Sequence, residues 1–256
     1  MPLTNFAMSV IFRCSRCVVV AAFCSSLLLA QQLPVGTAIP IALKTGLEAS
    51  KDNSDKTIEG EVMQDVTTTT GVKINQGSRV HGHLINVTKP SGSGSSITLK
   101  FDAIEDHGHR IPITVSLVAV ASMMDVSQAG LPVNTNAYTD SINDWVTRQV
   151  GGDIVRRGQG KVFSRTGEVG KWLQGGGVLI KLTPNPAAGC PNGPAYESEQ
   201  SVWIFSSDAC GVYGDKKLKI AKSGSSAPMG DIVLQSPKNI EIRGGSGLLL
   251  TVVERP

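Results

Sequence analysis

The sequence predicts an all-β fold, an antiparallel barrel or sandwich with one short helix at about residues 140–150. Glycine is abundant, with 28 residues among 256, and aromatic residues make up only 5%. Many short runs alternate apolar and polar residues, and turn-forming residues separate these runs. Such alternation is typical of strands with one buried face. A chain of this length can bury a core in one large β domain or in two small ones.

The strands are predicted in chain order from this alternation. Gly36–Leu47 comes first, and its Pro40 predicts an edge or bulged strand because proline cannot donate to a ladder. Segments 97–103 and 111–121 are predicted to form one hairpin. The other predicted strands are 58–66, the two strands of 71–87 around a turn at Gly77, 178–182, 202–206, 218–220, 232–234, 240–242 and 248–252.

The short helix is predicted from a change of period. Asp140 or Ser141 can cap its first turn, and Gly151 follows its end. Apolar or amide side chains recur there at helical spacing, at Ile142, Trp145, Val146 and Gln149.

The first thirty residues predict a secretory signal peptide. Arg13 and Arg16 form a basic start, and an apolar or small-residue run extends from Val18 to Ala30, before Gln31. This run is shorter than the ~20 residues that a membrane-spanning helix needs, although a signal anchor is the alternative. We therefore expect no transmembrane helix in the mature chain. We expect the protein to be exported, to the periplasm, the outer membrane or the outside of the cell.

The charge of the chain argues against nucleic-acid binding. The formal net charge is +3, from 24 basic and 21 acidic residues. Removal of Arg13 and Arg16 with the signal leaves 22 basic residues against 21 acidic ones, a net charge of +1. Nothing in this balance indicates a nucleic-acid or membrane-surface partner.

The cysteines agree with export. Cys14, Cys17 and Cys24 belong to the predicted signal, so only Cys190 and Cys210 remain in the mature chain. An even number in an oxidising compartment predicts a disulfide between them. A closed loop of that length would stabilise the fold by ~3 kcal/mol in the chain-entropy model.

Histidines form the cluster that most resembles a chemical site. His81 and His83 lie at i, i+2 on a predicted strand, so their side chains point the same way. His107 and His109 could complete a four-nitrogen site for Cu(II), Zn(II) or Ni(II), with Glu105 and Asp106 nearby. The alternative is a solvated polar face that holds no metal.

No catalytic pattern accompanies these histidines. Neither Gly-x-Ser-x-Gly nor a phosphate-binding glycine loop occurs in the chain, so we predict no enzyme activity. Trp145, Trp172 and Trp203 could form a sugar-binding platform, but core packing explains large aromatic residues more simply.

Three segments resemble one known family. Pro34–Pro40, Gly60–Val66 and Ile74–Gly82 look like its patterns G-T-x-I-P, V-x-x-D-V and I-P-x-G-S-R-x-x-G, with Asn75 where the last pattern has proline. This family is the β-barrel domain of the channel subunit of type IV (conjugative) secretion systems. The resemblance covers residues of about 33–126, with a faint match near 240–252. It implies a barrel with residues of about 125–235 inserted, in a free-standing exported relative of unknown function.

The predicted organisation follows from these observations. Residues 1–30 are the signal peptide, 31–126 a β-barrel-like domain, and 127–256 a second β-rich region or an insertion plus the closing strands of the same barrel. We expect an exported envelope protein with a structural or binding role, acting through self-assembly or an unidentified envelope partner. The alternatives are a periplasmic Cu or Zn protein that uses the two His-Gly-His pairs, and a carbohydrate-binding module.

Overall fold

A computed structural model describes residues 33–68, 71–129, 146–150, 154–158, 161–164, 167–172, 178–180, 200–201, 204–205, 209–221 and 229–254. These residues all belong to the unit Gln31–Pro256, and Met1–Ala30 forms the other unit of the chain. The predicted signal peptide therefore lies outside the described residues. No helix within the described part is long and apolar enough to cross a membrane.

The first part of the chain is strand after strand and ends in one short helix. Its elements are β1 (Ala38–Leu43), β2 (Leu47–Glu48), β3 (Thr57–Val62), β4 (Val66–Thr67), β5 (Lys73–Ile74), β6 (Arg79–Ser91), β7 (Gly94–Asp106), β8 (His109–Pro112), β9 (Thr114–Ala121) and α1 (Met123–Gln128).

After α1, the described residues form strands and contain no helix. These strands are β10 (Val146–Arg148), β11 (Ile154–Gly158), β12 (Lys161–Ser164), β13 (Gly167–Trp172), β14 (Val178–Ile180), β15 (Gln200–Ser201), β16 (Gly211–Tyr213), β17 (Lys219–Ile220), β18 (Ile232–Ser236), β19 (Glu241–Ile242) and β20 (Gly247–Glu254).

A ten-stranded sheet dominates the fold, in the order β16-β9-β20-β1-β3-β6-β7-β18-β17, with β8 paired to β7. Its pairs are antiparallel except for β16 with β9. The end strands β16 and β17 are consecutive in the chain and lie near each other, but no ladder joins them. The prediction of an all-β fold is confirmed. The large sheet is not closed into a barrel, so the sandwich-like alternative fits the structure.

Strands from both sides of residue 126 build this sheet. β20 pairs with β1 and with β9, and β18 pairs with β7. A second sheet, in the order β10-β11-β12-β13-β14-β15, consists of strands that are consecutive in the chain. The long excursion between β9 and β16 thus has its own sheet.

Two hydrophobic clusters lie on opposite faces of the large sheet. The main cluster takes alternate residues of the sheet, including Ile39, Ile41, Val80, Leu99, Leu248 and Leu250. The second cluster joins Ala38, Ala119 and Leu249 to Val150 and Phe205 of the excursion. A Cβ on Gly247 would lie 2.8 Å from Val126 Cγ2 and 3.2 Å from Phe205 Cζ, so the excursion packs closely there.

The helix predicted at about 140–150 is wrong for the residues of this segment that the structure describes. Residues 146–148 form β10, which pairs with β11, while residues 140–145 lie outside the described residues. Val146 and Thr147 are β-branched and favour extended backbone once a partner strand is present. The short helix of the described chain is α1, whose Ser122 Oγ accepts a hydrogen bond from Asp125 N.

Two strand predictions also differ from the structure. β1 is interior, but its ladder with β3 covers only Ile41–Leu43, so Pro40 removes no bond from that ladder. The predicted hairpin of β7 extends through β8, where Pro112 is the last strand residue. β9 then pairs with β20 and β16 instead of β7.

Gly82 allows β6 and β7 to approach each other at a bulge. The register between these strands shifts between His81 and Gly82. A Cβ on Gly82 would collide with the Lys100 carbonyl oxygen and lie 2.9 Å from Phe101 Cδ1. Glycine inside a strand commonly marks such a bulge or a close backbone approach.

We predict that Gly82→Ala lowers the free energy of unfolding by about 1–3 kcal/mol, because the backbone of β7 must move to admit the methyl group. Urea denaturation followed by circular dichroism measures this change. The matched control is Gly92→Ala, where a Cβ meets nothing within 4 Å. Equal stability of the two variants would contradict the close approach.

Candidate functional site

The histidine pair of β6 occupies the polar face of the sheet. Val80, Gly82 and Leu84 are buried, whereas His81 and His83 are half-buried. The two-residue alternation predicted from the sequence is therefore present. The register places His81 opposite Glu59 of β3 and Ala103 of β7.

Each of these histidines contacts a carboxylate on β7. His81 Nε2 lies 3.1 Å from Glu105 Oε2, and His83 Nδ1 lies 2.9 Å from Asp102 Oδ2. A carboxylate that accepts a ring N–H fixes the tautomer of the histidine and the orientation of its ring. The two pairs therefore link β6 to β7 across the polar face.

The second histidine pair lies at the end of the β7–β8 hairpin. His107 is exposed in the turn, with Nε2 4.0 Å from Asp106 Oδ1, and His109 pairs with Asp106 in the register. Ala103, the partner of His81, precedes the end of β7 by three residues, about 10 Å of extended strand. This distance along β7 separates the two pairs.

The structure does not bring the four predicted metal ligands together. His81, His83, His107 and His109 all belong to the described part of the chain. Within that part, no group of three or more His, Cys, Asp or Glu side chains is placed to hold a metal ion. The carboxylates that were expected to assist a metal instead form cross-strand pairs or hold a turn.

Asp106 holds the turn between β5 and β6. It accepts a hydrogen bond from Ser78 Oγ at 2.7 Å, and Asn75 Nδ2 lies 3.1 Å from each of its oxygens. Burial acts to raise the pKa of Asp106, but the hydrogen bonds from Ser78 and Asn75 outweigh it and keep the pKa below its usual value. Asn75 stands where the resembling pattern has proline, and its amide makes this contact.

Asp65 holds the same turn from the other side. Its Oδ1 accepts a hydrogen bond from Gln76 N at 2.9 Å, and its Oδ2 lies 3.0 Å from Lys73 Nζ. The Gln76 hydrogen bond is the main reason that the pKa of Asp65 is lowered, and Lys73 contributes in the same direction. Two carboxylates therefore position the Asn75–Ser78 turn between β5 and β6.

A cleft of about 580 Å³ lies beside α1. It is formed by three segments that are distant in the chain: 120–125, 212–218 and 239–246. Its apolar lining includes Met123, Met124, Tyr213 and Leu218, and its ionisable lining is Asp125, Asp215, Glu241 and Arg243. The sequence analysis did not predict this cleft, because no local pattern shows that these three segments meet.

The remaining candidate residues are only partly described. Trp145, Trp203 and Cys190 lie outside the described residues, and Trp172 is the last residue of β13. Cys210 is buried. The predicted Cys190–Cys210 pairing and the sugar-binding alternative therefore stay predictions.

No protein-family model matches this chain, and no curated protein matches it either.

We predict that Asp106→Asn destabilises the protein by about 1–3 kcal/mol at pH 7, because the amide cannot replace both acceptor oxygens of a mostly buried carboxylate. A carboxyl group with a lowered folded-state pKa stabilises the fold above its unfolded pKa of about 3.9 and loses that contribution as pH falls through the folded pKa. The difference from the unsubstituted protein should therefore shrink below about pH 4.

Urea denaturation between pH 7 and pH 3 measures this dependence. Glu59→Gln is the control, since Glu59 is an exposed carboxylate on β3. A deficit of Asp106→Asn that stays constant over the whole range would show that its charge is not what holds the turn.

We predict that the double variant His81→Ala/His83→Ala binds Zn²⁺ and Cu²⁺ as weakly as the unsubstituted protein. Each ring already has a carboxylate on one nitrogen, and the described structure supplies no third ligand. Isothermal titration calorimetry with each metal makes the comparison. If the unsubstituted protein binds either metal ten times more tightly than the variant does, the prediction is wrong and His81 and His83 are metal ligands.

Proposed function

We propose that this chain is an exported envelope protein with a structural or binding role and without catalysis, and that it is a free-standing relative of the β-barrel domain of the type IV secretion channel subunit. Its site of action would be the periplasm or the outer membrane. Its partner would be a second copy of the chain or an unidentified envelope protein.

The observation that carries this proposal is which segments of the chain supply the strands of the large sheet. Segments 38–121 and 232–254 share it, and β20 lies between β1 and β9. The resemblance to that family covers about 33–126 and, faintly, 240–252, so it takes in β1 to β9 and most of β20. Within the stretch of about 125–235 that the resemblance implies is inserted, β10 to β15 form a sheet of their own, whereas β16, β17 and β18 join the large sheet.

A binding role also draws support from the cleft beside α1. Clefts of roughly 300–1,000 Å³ with an apolar lining and a few polar groups are common ligand sites. The cleft lies where sheet strands end and a helix with no buried residue follows. Its lining provides apolar contact area and charged side chains. Both features suit the recognition of a partner.

We predict that cells expressing the full chain deliver it to the envelope fraction without residues 1–30. Intact-mass spectrometry of that fraction measures the cleavage, and the loss of two hydrogen atoms reports a Cys190–Cys210 disulfide in the same spectrum. A reduced and alkylated sample is the control for the disulfide. Retention of the full-length chain in the cytoplasm would overturn the export proposal.

The partner is tested in the same cells by chemical cross-linking. A cross-linked species in the envelope fraction that contains the protein, as a homo-oligomer or with another protein, supports the structural or binding role. Exported protein that stays monomeric and never forms a cross-linked species would overturn that role. The control is a sample in which the cells are lysed and diluted before the cross-linker is added.

A further inference from the structure

Two exposed methionines line the cleft beside α1. Within the described residues, the large hydrophobic side chains that are exposed are Val35, Ile85, Met123, Met124 and Met229. Two of these five are consecutive in α1 and line the cleft. Methionine is flexible and polarisable, and for that reason it is common on surfaces that adapt to peptide partners.

The position of α1 is fixed although none of its residues is buried. Ser122 Oγ accepts from Asp125 N and donates to Asp125 Oδ2. A Cβ on Gly245 would lie 3.1 Å from Met123 Cγ, so Met123 packs directly over the turn before β20. The helix is therefore held in place while it presents Met124, 59% exposed, at the cleft.

The ionisable groups that line the cleft are mainly acidic. Arg243 Nε lies 3.1 Å from Glu241 Oε1, so these two charges offset each other. Asp125 and Asp215 remain, and Asp215 Oδ1 accepts hydrogen bonds from the backbone of Lys217 and Leu218. Both carboxylates are thus held at the cleft by local hydrogen bonds, and together they favour a cationic group in it.

Basic residues adjoin the cleft but do not line it. The exposed residues Lys216, Lys217, Lys219 and Lys238 are next to lining residues in the chain. The proximity of Lys238 lowers the pKa of Lys217. The carboxylates of Asp125 and Asp215 are the ones that a group inside the cleft would touch, and added salt weakens the repulsion from the lysines outside it.

We propose that the cleft beside α1 binds an extended peptide segment of another protein, in which a lysine or arginine lies next to apolar side chains. The apolar side chains would cover Met124 and Tyr213, and the cation would lie near Asp125 and Asp215. This inference rests on the proposed binding role and names the chemical class of the partner.

The test uses the purified protein and two short fluorescent peptides that differ only in charge. One contains leucine, serine and lysine, and the other has glutamate in place of lysine. We expect the lysine peptide to bind more tightly, and added NaCl to weaken its binding because exposed charges are screened. Fluorescence anisotropy measures both affinities.

Matched variants assign the binding to the cleft. Asp125→Asn combined with Asp215→Asn keeps an acceptor oxygen at each site, and we expect roughly three- to tenfold weaker binding of the lysine peptide. Met124→Gln should weaken binding about fivefold through the loss of apolar contact. The controls are Glu59→Gln for charge and Met229→Gln, whose methionine is also 59% exposed.

Three results would overturn the inference: no binding of the lysine peptide, equal binding of both peptides, or equal effects of Met124→Gln and Met229→Gln. Thermal melting of each variant checks that it folds. The cell experiments separate this inference from the proposed function. If Met124→Gln is exported and cross-links as before, the binding role stands and the cleft is not its site. If the unsubstituted protein is neither exported nor cross-linked, the proposed function itself falls.

Discussion

The position of β20 between β1 and β9 is the constraint on which the rest of the structure depends. β9 joins the large sheet through β20, and β16 joins it through β9. The side chains of β20 also serve both hydrophobic clusters, since Leu248 and Leu250 enter one and Leu249 the other. A strand buried on both faces needs a continuous apolar run instead of alternation, and this run is what 248–250 provides.

Much of the fold could be predicted from local alternation, and the cleft could not. Alternation identifies the faces of β6 because each strand residue points to the opposite side from its neighbours. Alternation does not identify which strands pair, so β9 was predicted to pair with β7, whereas it pairs with β20. Helical spacing around Val146 was misleading because a tertiary partner, β11, outweighed it. The cleft required three distant segments to meet, and no local pattern contains that information.

The histidines of the polar face make contacts that link two strands. His81 and His83 have the residue type and spacing of ligands, and that much was visible in the sequence. The contacts of their rings with Glu105 and Asp102 depend on the strand register and the bulge at Gly82, which the sequence does not specify. Likewise, Asp106 was expected near a metal, but Asn75 and Ser78 occupy its oxygens. The carboxylates therefore hold strands and a turn together.

The pairing of β1 with β20 also has a consequence for the order in which the chain folds. Ala38 pairs with Thr251, so a ladder at the start of the described chain needs residues from its very end. Proteins dominated by such non-local pairings fold slowly, because the entropy of closing a long loop is lost before any contact compensates for it. β1 and β9 therefore lack the partner that they share until Gly247–Glu254 has been synthesised. A chain that lacks β20 leaves one edge of β1 and one edge of β9 unpaired, and unpaired edges of this kind promote edge-to-edge aggregation.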